Sequence, residues 1–147
     1  MSELQVLFLY NNALTGSIPP RLWSLSKLQL LVLLLNNFTG DVVVDDSKGM
    51  AARSLTDIDI SFNYKLTGSI PEAFGLLENL TTLSLSFNSF SGEIPMTLPA
   101  ELGKHSDLGH VEVHDNTLLG AIPNGLCARG QLIYLHADNN RFKGPIP

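Results

Sequence analysis

The chain has few groups that could be cross-linked, bind a polyanion or cross a bilayer. Its 147 residues include one cysteine, Cys127, so no internal disulfide can form. Basic residues are scarce: nine Lys and Arg against fourteen Asp and Glu leave a net charge of −5. That balance argues against a phosphate-backbone partner, so no nucleic acid is expected. The longest apolar run, Leu30 to Leu35, falls far short of the roughly 20 residues a membrane span needs. Signatures of catalysis are missing too, with no G-x-S-x-G elbow, no P-loop, and no kinase Gly-rich loop or H-R-D triplet. The expectation is a chain that is not an enzyme and carries no cofactor.

What is present is repetition. LTGSIP occurs twice, at Leu14–Pro19 and Leu66–Pro71. Around it, a longer pattern starts at residues 4, 28, 55, 80, 108 and 132. The first and fourth positions of every copy are aliphatic, and the sixth is aliphatic or Ala137. The ninth is always Asn: Asn12, Asn36, Asn63, Asn88, Asn116 and Asn140. Starts lie 24, 27, 25, 28 and 24 residues apart, so the period is 24 with insertions. One insertion leaves Ile94-Pro95 and Leu98-Pro99 in series, either a loop insertion or the scar of two fused repeats.

Each slot has a physical reading. Alternation around the fourth and sixth positions predicts a short strand with those side chains inward. An Asn amide can donate and accept together, so the ninth position suits a turn that leaves backbone groups buried. Gly allows a tight bend, and Pro fixes φ without an N–H to donate. LTGSIP is thus read as a corner of the coil.

The pattern resembles the leucine-rich repeat, and the phrases GSIP, GSIP, GEIP, GAIP and GPIP resemble its plant-specific class. That class occurs in plant receptor kinases, receptor-like proteins and polygalacturonase inhibitors. Repeat two departs from it, with Gly40-Asp41-Val42-Val43 followed by DDSKGMAARS. ELGKHSDL and LCARGQL further resemble ectodomains of HAESA-type receptor kinases. The implied fold is an α/β repeat of about six units: a right-handed leucine-rich-repeat solenoid with a parallel β-sheet on its concave face. Residues 1–147 are read as one such domain, the last repeat incomplete.

The family's cysteine-containing caps have no counterpart here, and Met1-Ser2-Glu3-Leu4 aligns with Leu25-Ser26-Lys27-Leu28. A piece of a larger array is therefore expected, without a signal peptide and able to self-associate through uncapped ends. Cys127 reads as a small buried hydrophobe. The resemblance also implies an extracellular or plasma-membrane ectodomain, which makes the sequons at Asn37 and Asn79 glycan acceptors.

Side chains flanking the inward positions should point to the concave face. Phe8, Tyr10, Val32 and Leu34 give its first two rows an apolar character. Phe62 and Phe87 stand among small or acidic residues in the middle. The last rows carry His110, Glu112, His114 and Asp115, then Tyr134, His136 and Asp138. Neighbouring strands would set Glu112 beside His136, and His114 beside Asp138. Such a cluster suits a divalent metal or a pH-sensitive contact; the reading taken is a solvated surface without metal. The Arg-x-Arg pair that HAESA-type receptors set on the peptide's C-terminal end has no counterpart, since Arg21, Arg53, Arg129 and Arg141 lie outside the grid. The expected function is recognition of a protein or peptide on the concave face. Alternatives are inhibition of a secreted enzyme, as by polygalacturonase inhibitors, and ice binding, which favours a flat array of Thr, Ser or Asn.

Overall fold

Every repeat start leads into a three-residue strand. In the computed structural model, which describes residues 2–44, 50–95, 108–127 and 132–146, these strands are β1 (Val6–Phe8), β3 (Leu30–Val32), β5 (Asp57–Asp59), β7 (Thr82–Ser84), β9 (His110–Glu112) and β11 (Tyr134–His136). They stack in chain order as one six-stranded parallel sheet. The fourth-position residues form a single column in register: Leu7, Leu31, Ile58, Leu83, Val111 and Leu135. The column is closed at Leu31, Ile58, Leu83 and Val111, all at most 4% exposed, while Leu7 and Leu135 at the ends are half-buried. Leu33, Ile60, Leu85 and Val113 repeat the pattern one step on. Burial of these two columns, at ~1.5–3 kcal/mol per large aliphatic side chain, fixes which face of each strand looks inward.

The Asn ladder is internal, as its slot requires. Asn88 donates from Nδ2 to the carbonyls of Leu85 in its own turn, at 2.9 Å, and Ile60 in the preceding one, at 3.0 Å. Its Oδ1 accepts the N–H of Asn63 at 3.1 Å. Asn36, Asn63, Asn116 and Asn140 likewise reach back to Leu9, Leu33, Leu85 and Val113. The side-chain amide of Asn12, in the first turn, donates to Leu9 and Tyr10 of its own turn. The ladder thus ties turn to turn through otherwise orphaned carbonyls.

A feature the sequence did not announce lies one residue earlier. Asn11, Leu35, Phe62, Phe87, Asp115 and Asn139 all adopt left-handed backbone, with φ between 52° and 56°. Asn and Asp tolerate that conformation; for Leu and Phe it costs about 1–2 kcal/mol. The parallel ladder still holds there: Leu35 N–H donates to Ser61 O, Phe62 to Ser86 O and Phe87 to His114 O, at 3.0–3.2 Å. Those bonds and the neighbouring Asn offset the strain.

The corner is itself a ladder, where one strand per repeat was expected. β2 (Thr15–Gly16), β4 (Asn37–Asp41) and β6 (Lys65–Thr67) form one lateral sheet, and β8 (Ser91–Glu93), β10 (Thr117–Gly120) and β12 (Arg141–Phe142) another. The repeat's Gly closes each corner at positive φ. At Gly68, φ is +77° and an added Cβ would sit 2.6 Å from Asp41 Cγ, so a side chain there would be strained by the turn and would have to displace the exposed Asp41 carboxylate. Ile18, Ile70 and Ile94 then plug the core. Pro19 and Pro71, at φ −62° and −61°, lead into short 3₁₀ helices at Pro20–Ser24 and Glu72–Leu76; Asn124–Cys127 forms a third. These short helices make the convex side among the described residues. Trp23 of the first helix meets Phe74 of the second at 5.1 Å, so repeats one and three touch across repeat two, whose tail departs from the pattern. The Leu98-Pro99 motif, most of the two HAESA-like phrases and the side chain of Cys127 lie outside the described residues.

Candidate ligand-recognition face

The concave sheet brings the expected residues into rows, and the rows into columns. Val6, Phe8 and Tyr10 of the first turn are 43%, 54% and 55% exposed. Val32 and Leu34 continue the apolar rows, half-buried, with Leu35 exposed beside them. In the third and fourth turns the face turns polar and small. Asp59 accepts hydrogen bonds from the Ser61 hydroxyl and N–H at 2.6 and 3.0 Å, and Thr56 donates to Asp57 at 2.6 Å. The carboxylates there are engaged locally, which holds the strand rim in a fixed shape.

A stripe of rings crosses this polar ground. Phe62 stacks on Phe87 at 4.3 Å, Phe87 meets His114 edge-on at 5.0 Å, and His114 stacks on His136 at 3.8 Å. Tyr134 follows at 5.9 Å from His136, and His110 at 6.2 Å from Tyr134. At the other end Tyr64 stands perpendicular to Phe62 at 6.3 Å and is 61% exposed. Tyr64 escaped the sequence reading because it lies after the ladder Asn, outside the strand grid. Its signal is a count: Asn63 is five residues from Gly68, where the other repeats have four. The extra residue is projected from the turn into the stripe.

Charges in the last two turns pair along each turn more than between turns. Glu112 is the register partner of His136, as expected, yet its carboxylate lies 3.4 Å from the Ser84 hydroxyl. His114 Nδ1 contacts Asp115 Oδ2 at 2.8 Å, and His136 Nε2 contacts Asp138 Oδ1 at 2.5 Å. Left-handed backbone at Asp115 keeps its carboxylate close to the preceding His. Asn139 donates to the other Asp115 oxygen at 2.9 Å. The hydrogen bond from His114 first, then that from Asn139, holds the Asp115 carboxyl below the ordinary range. His114 is 8% exposed, so it is the wall of this site and His136 its open side.

Other predicted positions fall off this face. Asn37 is exposed on β4 in a lateral sheet, and exposed Asn79 precedes β7, donating to the Arg53 carbonyl at 2.8 Å. Arg21 sits in the first 3₁₀ helix, Arg53 pairs with Glu78 at 3.4 Å, and Arg141 belongs to β12. Arg129 lies outside the described residues. No helix among the described residues is long and apolar enough to cross a membrane.

Stacked strands, buried aliphatic columns and an internal Asn ladder define a leucine-rich-repeat solenoid. The chain belongs to the leucine-rich-repeat family: the family model "Leucine Rich Repeat" matches residues 3–25 and 79–100. It is similar to "Receptor-like protein 41" of Arabidopsis thaliana, 34% identical over all of this chain and 16% of that protein. Among solved structures it is similar to the Arabidopsis receptor kinase HAESA, solved with the peptide hormone IDA and the co-receptor SERK1. There the TM-score is 0.87, with 36% identity over 99% of this chain and 23% of that one. A plant ice-binding protein matches at TM-score 0.79 and 29% identity, over 97% of this chain and 44% of that protein. The chain therefore spans about a sixth of the length of its receptor-like relative.

Proposed function

We propose that this chain is a noncatalytic recognition module of a plant receptor-like ectodomain, working outside the cell and binding a peptide or protein on its concave face. The observation that carries the reading is the ring stripe from Tyr64 to His110, set on the strands and on the turns that follow them. Aromatic side chains lose little entropy on binding and bury large areas, so a rigid stripe is suited to hold an extended partner. HAESA was solved with a peptide hormone, and that precedent favours a peptide among the candidates. No arginine lies on the described concave strands, so recognition would rest on rings and His rather than on a clamp for a terminal carboxylate. Asn37 and Asn79 would carry glycans clear of the stripe. The first turn's end face, with Leu4, Leu7, Leu9 and Leu14 around an apolar hollow, would let the isolated chain self-associate.

An inhibitor of a secreted enzyme, of the polygalacturonase-inhibitor type, would use the same face and differ only in its partner. Ice binding is favoured by the structural likeness to a plant ice-binding protein. The lateral sheets argue against it, since their facing pairs include Thr39 with Lys65, Asp41 with Thr67, and Glu93 with Leu119. Charges interrupt any Thr or Ser lattice.

The test is capture of a partner from plant apoplastic fluid by the chain, by a Phe87→Ala, Tyr134→Ala variant, and by a lateral-sheet control, Lys65→Ala, Glu93→Ala. Loss of the partner in the first variant alone is expected. Retention there with loss in the control would overturn the concave-face reading.

A further inference from the structure

His114, His136 and Asp138 converge at the last two concave rows, each offering a ligand atom within 4.8 Å of the others. Both imidazoles have a partner on Nδ1. His114 Nδ1 contacts Asp115 Oδ2 at 2.8 Å, and His136 Nδ1 lies 3.3 Å from the Tyr134 hydroxyl. With Nδ1 engaged, each ring is left with Nε2 as its donor. Asp115 is fixed in turn by Asn139 at 2.9 Å. A carboxylate on the far nitrogen of a histidine orients the ring and raises its basicity, the arrangement that supports metal-bound imidazoles. The two rings stack at 3.8 Å and 28°, which sets their edges side by side; to share an ion they tilt apart so that both Nε2 lone pairs converge.

We propose that His114, His136 and Asp138 form a site for a divalent transition-metal ion of the zinc class, with Asp115 as the orienting residue behind His114. Two imidazoles and one carboxylate are a donor set for zinc or copper(II) and a poor one for calcium or magnesium. Donors of a tetrahedral ion with bonds of ~2.0–2.1 Å sit roughly 3.3 Å apart. The widest separation in the set must therefore close by up to about 1.5 Å while the 2.5 Å His136–Asp138 contact opens by about 0.8 Å, and Asp138, whose side chain is 56% exposed, is free to move. His136 currently directs Nε2 at Asp138; the ion would take the place of the proton in that contact. With three protein donors the ion keeps a coordination position toward the concave groove, where water or a ligand oxygen can enter. The sequence alone favoured a solvated surface because it showed neither the stacking nor the Asp115 support.

The experiment is calorimetric titration of the full chain with zinc chloride near pH 7.5, with calcium chloride as a separate arm. One zinc per chain is expected, with no calcium heat and a higher unfolding midpoint in zinc. Asp115→Asn should weaken zinc about 10- to 100-fold, and His136→Gln by more. His136 and Asp138 are open to solvent, so His136→Gln and Asp138→Asn leave the fold intact, which circular dichroism checks. No zinc binding up to millimolar concentration, or binding unchanged in both of those variants, would overturn the proposal.

Discussion

At the scale of single residues, the least expected finding is the left-handed backbone before every ladder Asn. Three of those six positions hold Leu or Phe, which gain nothing locally from the conformation. Phe62 and Phe87 are there for their place in the ring stripe. Leu35 is 44% exposed and lies outside it. Replacing Leu35 with Asn should therefore stabilise the fold by roughly 0.5–1 kcal/mol, through relief of backbone strain. Urea denaturation followed by the fluorescence of Trp23 measures it. A lower midpoint would mean that Leu35 contributes more by packing than it loses by strain.

At the scale of the turn, the Asn ladder does for the solenoid what cross-strand bonds do for a sheet. The amide of Asn88 serves carbonyls in two turns and accepts the N–H of a third residue. Asn88→Ala would leave these groups buried and unpaired, at ~1–3 kcal/mol each, so a large fall in the denaturation midpoint is expected. An unchanged midpoint would refute the ladder. This part of the architecture was legible in the sequence because it repeats: six Asn at one offset, six Gly, and aliphatic residues at fixed places. The lateral sheets were not legible, since Thr15-Gly16 or Arg141-Phe142 carries no alternation long enough to mark a strand. Their pairing is imposed by the stacking of whole turns. Tyr64 and the pairing of His114 with Asp115 escaped for a related reason: each depends on where a turn aims a side chain, which the repeat pattern leaves open.

At the scale of the whole molecule, the stack is a rigid frame whose two faces differ in kind. The inward columns are shut at the centre and half-open at the first and last turns, where Leu7 and Leu135 lack a second flanking strand in the sheet. The concave face changes along the stack from apolar, through small and acidic, to a His-rich end. A partner lying across it would meet the ring stripe throughout the last four turns. The central claim is that this stripe is the contact surface, and hydroxyl-radical footprinting reads it side chain by side chain. With the captured apoplastic partner bound, oxidation of Tyr64, Phe62, Phe87, His110 and Tyr134 should fall several-fold. Leu119 and Ile146, exposed off the stripe, should react as in the free chain. Protection of Leu119 and Ile146 with the stripe unchanged would contradict the account.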